Sequence, residues 1–543
     1  MALSKRDSEF RLTRISYLEF NLTNMDRVMT AFFARLWHGG APSRLTRNFA
    51  LEVDTFVDYA LEHPELFHNF ADHRNILERW MTTHLMDMVN RGQGDKEAVA
   101  APRPLHGFTY RLRNSKHSRD YGTSQQLYEM LYHAKGGDSA LGQLKQFFFA
   151  GIDPVTHQQN QEAVDVETQA LLHLPMTISD APDTNKRGDQ YPPVCQGSAD
   201  LLAEDVKRLL FYQPFIPRSV MVDYLKILFA FHLALYHLRL LKLVPELVKR
   251  QGAPVTGGDQ PYPIGILVDV ANRPDTAMAA LAEYSADFHI RRISNFVKSH
   301  YALRKLDEFG KHLVKVGKLT RSAEEQFSVA EVAALQGSIY KNERDPFFKQ
   351  RLAGLLEDSA SKPEDLDPET QAIVSMDLPA FETYIEILTA LRGQYHRRYI
   401  TECLDSLMLK NRPGALLAQG KTRNAPRRFI LDSRLLEVLL QIAVLKPGGS
   451  LGFHSSPLRI DELLGWLKTR YGLYVDQLPP GDGFGPASIT DRQALRDNRR
   501  AFTSRLREVG FYRDLSDAYI SQTVTPRYEI GLEGSGSNRV YDP

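Results

Sequence analysis

The residues from Tyr224 to Val244 constrain the fold more than any other stretch. They are numerous and apolar enough to suggest a membrane span, yet Lys226, His232, His237, Arg239 and Lys242 are set among them. Each charge near a bilayer centre would cost about 2.5–3.5 kcal/mol on insertion scales. The stretch therefore reads as the central helix of a large bundle, ended by Pro245. A bundle of that size is open to this chain, because 543 residues allow two to four domains and a large buried core. A hydrophobic content of 43% and a charged content of 24% are those of an ordinary globular protein. With a net charge of +1, basic character exists only locally.

Helical periodicity dominates the rest of the chain. Leu12, Ile15 and Leu18 begin a helical pattern, and Met25–Trp37, Phe49–Leu61 and Asn75–Val89 continue it. After a Gly/Pro break near residues 92–104, helices resume at Gln125–His133 and Ala140–Ala150. Residues 175–200 have the Pro, Asp, Gly and Asn content of a linker or long surface loop. Thr276–Val316 reads as two helices; Ser328–Gly337, Pro346–Leu356, Leu378–Leu391 and Gln394–Leu409 read as further ones. These breaks divide the chain into an N-terminal helical region (1–95), a mixed region (96–200), a central helical body (201–409) and a C-terminal domain (410–543).

The C-terminal third carries the functional argument. Apolar residues at 435, 436, 439, 440 and 443 mark a first helix stopped by Pro447-Gly-Gly, and Ile460, Leu463, Leu464 and Leu467 mark a second. A third begins near Thr490-Asp491 with Leu495, Phe502, Leu506 and Val509 on one stripe. After Gly510, Phe511–Arg513 and Tyr519–Ile530 read as two strands. Helix, helix, helix, hairpin is the order of a winged helix, a helix-turn-helix variant that docks on DNA or on protein. The expected fold is thus mainly α, with a C-terminal winged-helix domain.

On the third helix Arg496, Arg500 and Arg507 fall on one flank, with Arg492 and Arg499 nearer the edge of the stripe and Arg505 opposite. The stretch from 410 to 431 holds Lys410, Arg412, Lys421, Arg423, Arg427 and Arg428, a basic loop feeding a basic helix. Such a surface suits double-stranded DNA, since each neutralised phosphate releases condensed counterions. A second basic run, Arg103, Arg111, Arg113, Lys116 and Arg119, is interleaved with aromatic residues, which suits backbone and base contact, although a solvated loop with a short strand explains it better.

Catalytic signals are weak. A strand at Ile264–Val270 could present Asp269 as a catalytic carboxylate, as metal-dependent nucleases do, but no second acidic motif joins it. His63, His68 and His73 are five apart, which is not ligand spacing on a helix. Lys446-Pro-Gly-Gly-Ser lacks the Lys-Ser/Thr pair of a phosphate loop, and Gly481-Asp-Gly-Phe-Gly imitates half a dinucleotide fingerprint without a preceding strand. Two cysteines, Cys195 and Cys403, build no disulfide framework, and residues 1–10 lack the apolar core of a signal peptide, so a cytoplasmic protein without cofactor or metal is expected.

Two stretches, Arg427-Arg-Phe-Ile-Leu-Asp-Ser-Arg-Leu-Leu-Glu-Val-Leu-Leu440 and Arg459-Ile-Asp-Glu-Leu-Leu-Gly-Trp-Leu467, are similar to the C-terminal regions of some bacterial accessory proteins. Those proteins belong to DNA-modification-linked anti-phage systems of the phosphorothioation- or methylation-associated kind. The resemblance covers about a quarter of the chain and carries over no catalytic residue. It implies a partner ATPase or nuclease in the same complex, with DNA as the shared ligand. The leading expectation is a non-enzymatic DNA-binding and scaffolding subunit. The alternatives are a metal-dependent nuclease using Asp269 and a protein-only scaffold whose winged helix docks a partner.

Overall fold

The computed structural model describes residues 3–531 apart from 46–51, 66, 68, 71, 153–165, 173–177, 179, 188–189, 256–259, 322–325, 358–366, 421, 423–424, 450–451 and 513–522. The described chain is mainly helical, with strands of two to five residues.

The apolar stretch forms the core helix, Arg218–Lys249, and its polar residues explain how it packs. Lys226 Nζ lies 2.6 Å from Asp26, His232 Nε2 2.9 Å from Asp205, and Lys242 Nζ 2.8 Å from Asp482. His237 accepts from the Ser16 hydroxyl at 3.0 Å, and Arg239 donates to the Tyr262 carbonyl at 3.1 Å. Each polar group thus meets a partner from another segment, which fixes the rotation of a helix that is otherwise apolar nearly all round. It is long and apolar enough to cross a membrane, but 94% of that window is buried inside the protein.

Pro245 does not end this helix, which continues to Lys249. An interior proline costs about 3 kcal/mol, and here the burial of Val244 and Leu247 on either side offsets it. Two other expected breaks also vanish. The pair of helices expected over Thr276–Val316 is one long helix, Ala277–Lys315, started by the Thr276 hydroxyl accepting from the Ala279 N–H. Those expected at Leu378–Leu391 and Gln394–Leu409 merge into Ala380–Met408. Gly393 between them carries a penalty of only about 1 kcal/mol, too small to stop a helix whose ends bury Phe381, Tyr384, Cys403 and Leu407.

The N-terminal reading changes the other way. Met25–Trp37 is helical as expected, but residues 9–24 pack Phe10, Leu12, Ile15, Leu18 and Phe20 without forming a helix. Side chains satisfy this buried irregular backbone: Tyr17 N–H bonds to Gln126 Oε1, and Leu18 N–H to Ser16 Oγ. Asn75–Val89 splits into a helix to Trp80, a wide turn Met81–Leu85 and a strand Met86–Val89 paired with Ala98–Pro102. The Thr82 and Thr83 hydroxyls bond back to the Glu78 and Arg79 carbonyls, competing with the helical ladder at that point.

The strand expected at Ile264–Val270 lies at the centre of a series of short ladders. Ile266–Leu267 pairs in parallel with Leu473–Tyr474. On its other side the Asp269 N–H donates to the Phe429 carbonyl at 2.9 Å, and Arg427–Phe429 pairs antiparallel with Leu417–Gln419. Segments from before and after residue 410 therefore share one set of backbone hydrogen bonds, and one apolar core runs from Phe10 to Ile530. Gly472 permits the crossing: its φ is +78°, and a Cβ there would stand 2.2 Å from the Ile264 carbonyl oxygen.

The three C-terminal helices form in the expected order, at Ser433–Ala443, Ile460–Tyr471 and Ile489–Glu508. The strands differ. A hairpin, Leu445–Pro447 with Phe453–Ser455, follows the first helix. Leu458–Arg459 pairs antiparallel with Thr523–Val524, and Val524 also bridges Tyr512. Of the hairpin expected after Gly510, residues 513–522 lie outside the described residues.

Candidate nucleic-acid interface

The third C-terminal helix has an inner face built to be immobile. Ser488 caps it reciprocally with Asp491. Phe502 and Leu506 enter the main core, while Ala494 and Leu495 pack on Leu267, Met278 and Ala282. Between them lies Asn498, 2% exposed. Its Oδ1 accepts from the Val270 N–H at 2.9 Å, and its Nδ2 donates to the Val268 and Val475 carbonyls, each at 2.8 Å. One amide thus ties the helix across the ends of two parallel strands. The preceding loop is clamped as well. Asp482 accepts from the Gly265 N–H at 2.7 Å and pairs with Lys242 and Arg292. The Gly-rich segment 481–485 is therefore a structural clasp.

The outer face is arginine. Six arginines stand against three acids in the helix. Arg492, Arg496, Arg500 and Arg507 are all exposed. Arg492 and Arg496 have no carboxylate partner among the described residues, and Arg500 meets only its helix neighbour Asp497, at 3.0 Å, with 77% of its side chain exposed. An exposed pair of that kind contributes about 0–1 kcal/mol, so it leaves Arg500 available. The Arg507 guanidinium lies over the Tyr512 ring at 5.0 Å. Arg499 is more committed, pairing with Asp461 at 2.5 Å and Asp476 at 3.2 Å. Arg505 reaches Ser433 and Glu508. Beside the helix runs a groove of about 560 Å³, lined in part by Arg273, Thr276, Gln493 and Arg500. Arg273, exposed at the end of the strand junction, had no local signal in the sequence, because only the fold brings it beside residue 500.

The remaining sequence candidates fall elsewhere. Arg427 forms a two-point ion pair with Asp405, at 2.8 and 2.6 Å. Arg428, 8% exposed, pairs with Asp269 at 3.2 Å and donates to Asn272 at 2.7 Å. Lys421 and Arg423 lie outside the described residues. In the other basic run, Arg111 is buried against Asp180 at 3.1 Å, and Arg113 donates to the Ser43 carbonyl at 2.8 Å; Lys116 and Arg119 are exposed. Asp180 also accepts from Tyr110 at 2.7 Å and from His38 at 2.5 Å. Burial pushes its carboxyl up, but those hydrogen bonds and the Arg111 charge outweigh burial and hold it at about 2.

Asp269, the candidate catalytic carboxylate, is fully buried in the strand junction. It accepts from the Asn272 N–H at 3.0 Å and faces Arg428. Burial raises its pKa, opposed by that backbone hydrogen bond and the arginine. No group of three or more His, Cys, Asp or Glu suited to a metal occurs among the described residues. The geometry around Asp269 is that of a joint between strands.

Together these features define a mainly helical protein whose last long helix presents arginines on a rigid support. The family model of methylation-associated defense system protein MAD7 matches residues 5–528, nearly the whole chain, and the protein belongs to that family. It is thus a component of a methylation-associated defence system. No curated protein and no solved structure matches it.

Proposed function

We propose that this chain is a non-enzymatic DNA-binding and scaffolding subunit of its defence system, and that duplex DNA docks on the helix Ile489–Glu508. The observation that carries this reading is the row of exposed arginines, Arg492, Arg496, Arg500 and Arg507, on a helix whose opposite face is pinned by Asn498. A rigid cationic helix suits phosphate contact along a groove, because its backbone is already ordered and only side-chain entropy is lost on docking. The strand pattern supports a winged-helix variant: Leu458–Arg459 lies between the first and second helices and pairs with Thr523–Val524, which bridges Tyr512 after the third. A multi-component system also implies partner proteins, and an ATPase or nuclease subunit would supply the chemistry that this chain does not.

The test is binding of a short labelled duplex at about 50 and about 200 mM salt, with wild type and with Arg496/Arg500/Arg507→Ala. Each lost phosphate contact lowers the slope of log K on log salt by about 0.9. A shallower slope in the variant supports the reading; equal slopes, or no binding by wild type, overturn it.

A second reading rests on the groove beside the same helix, whose walls include Val270, Ala277, Met278 and Ala501 as well as Asp497 and Glu508. A lining that mixes apolar residues with charges of both signs, Arg273, Arg500 and Arg505 beside Asp497 and Glu508, suits a partner polypeptide. Under that reading wild type ignores the duplex at both salt concentrations.

A further inference from the structure

A separate cavity of about 450 Å³ opens between the irregular N-terminal segment and the helices Ala277–Lys315 and Ala380–Met408. Its inner wall is a stack of three rings. Phe10 lies between His300, at 4.1 Å and 22°, and His396, at 3.9 Å and 19°. His396 Nε2 is held by the Tyr301 hydroxyl at 2.8 Å. His300 is 1% exposed, and its Nδ1 has no hydrogen-bond partner among the described residues. Burial, reinforced by neighbouring positive charge, depresses both imidazoles, to about 3 for His300 and about 4 for His396. Near neutral pH the wall is therefore aromatic and uncharged. Phe20, also lining the cavity, holds a φ of +47°, a strained value for a bulky residue.

The mouth has the opposite character. Tyr395, 51% exposed, lies 4.6 Å from Tyr399, and the Arg392 guanidinium stands 5.8 Å from the Tyr395 ring. Arg392 has no carboxylate partner among the described residues. Across the opening, Arg11 pairs with Glu19 at 3.0 Å while 45% of its side chain remains exposed. Exposed aromatic faces, a neutral ring-lined interior with an unused nitrogen, and two guanidinium groups at the rim match a flat heterocycle carrying an anionic tail.

We propose that this cavity binds a single nucleotide, its base against the aromatic residues and its phosphate on Arg392 and Arg11. The source is either a free mononucleotide or one unpaired residue of a DNA strand. The site is distinct from the arginine helix and does not depend on that helix binding a duplex.

Titration calorimetry on the full chain tests this with deoxyadenosine, its 5′-monophosphate and a five-residue oligodeoxyadenylate. Stacking on one aromatic side chain contributes about tenfold or more in affinity. Tyr395→Ala should therefore weaken both the nucleoside and the nucleotide by about that factor. Arg392→Ala should weaken the nucleotide about tenfold and leave the nucleoside unchanged. Both side chains stand at the rim, and unchanged thermal unfolding would confirm that the variants fold. Arg496/Arg500/Arg507→Ala should leave mononucleotide binding intact, which separates this site from the helix. In the Arg496/Arg500/Arg507→Ala protein, an oligonucleotide binding more tightly than the monophosphate identifies a strand as the source; equal or weaker binding identifies the free nucleotide. No binding of monophosphate or oligonucleotide, or binding that neither rim variant alters, overturns the proposal.

Discussion

The Asn498 side chain donates to the Val268 carbonyl at 2.8 Å, joining the arginine helix to a strand 230 residues earlier in the chain. The same amide accepts from Val270 and donates to Val475. Asn498→Ala leaves one buried N–H and two buried carbonyls without this partner, each costing about 1–3 kcal/mol. Denaturant unfolding should show a loss of about 3 kcal/mol or more. If DNA docks on this helix, duplex affinity should fall too, although no charge has been removed.

Asp205 is the corresponding joint for the second C-terminal helix. Fully buried, it accepts from His232 at 2.9 Å and from the Tyr471 hydroxyl at 2.7 Å, and it pairs with Arg470. Burial pushes its carboxyl up, but the Arg470 charge and the His232 hydrogen bond hold it at about 2. Asp205→Asn should destabilise the protein by about 3–5 kcal/mol, since Arg470 loses its buried counter-charge. Because the folded pKa lies below the ordinary value of 3.8, this stabilisation is present above about pH 4 and is lost as the pH falls towards 2. The gap between wild type and variant in equilibrium unfolding should narrow across that window.

Four buried histidines set a milder acid limit. Burial depresses His106 and His300 to about 3, and His237 and His289 to about 4. Below the ordinary value of 6.5 the unfolded chain binds protons that the folded chain refuses, so stability falls from there down to about pH 4. Each group contributes up to about 1.4 kcal/mol per pH unit. Thermal unfolding should show Tm dropping steeply between pH 6.5 and 4.5, and replacing His237 with Gln should make that slope shallower.

Arg111 and Lys116 stand five residues apart in one basic run and should behave differently. Arg111→Ala removes the cation beside buried Asp180 and should cost about 2 kcal/mol or more. Lys116 is exposed, and Lys116→Ala should change stability by less than about 0.5 kcal/mol. Chemical denaturation of both variants, with duplex binding measured alongside, separates a structural arginine from a surface lysine.

Arginine content alone could not make that separation. Arg496 and Arg500 are exposed, while Arg427 and Arg428 are drawn into ion pairs with Asp405 and Asp269. On the third C-terminal helix the 3.6-residue period sorts side chains by face, so the positions of Arg496, Arg500 and Arg507 were legible locally. No such period operates at residues 103–119 or 410–431. There the partner decides, and Asp180 lies in a stretch whose composition resembled a linker. The clasp at Asp482 was hidden for the same reason, since its partners are at 242, 265 and 292.

The sequence by itself determined the mainly helical class, the buried central helix and the order of the three C-terminal helices, because apolar periodicity and turn residues act over a few positions. It also placed the strand Ile266–Leu267, two residues before Asp269. The tertiary structure alone decided where helices continue through Pro245 and Gly393, because core burial outweighs a local penalty of about 1–3 kcal/mol. It alone joined Ile266–Leu267 to Leu473–Tyr474 and assembled the cavity between Phe10, His300 and His396. Those contacts depend on buried polar groups finding partners hundreds of residues away, and that requirement leaves no periodic trace in the chain.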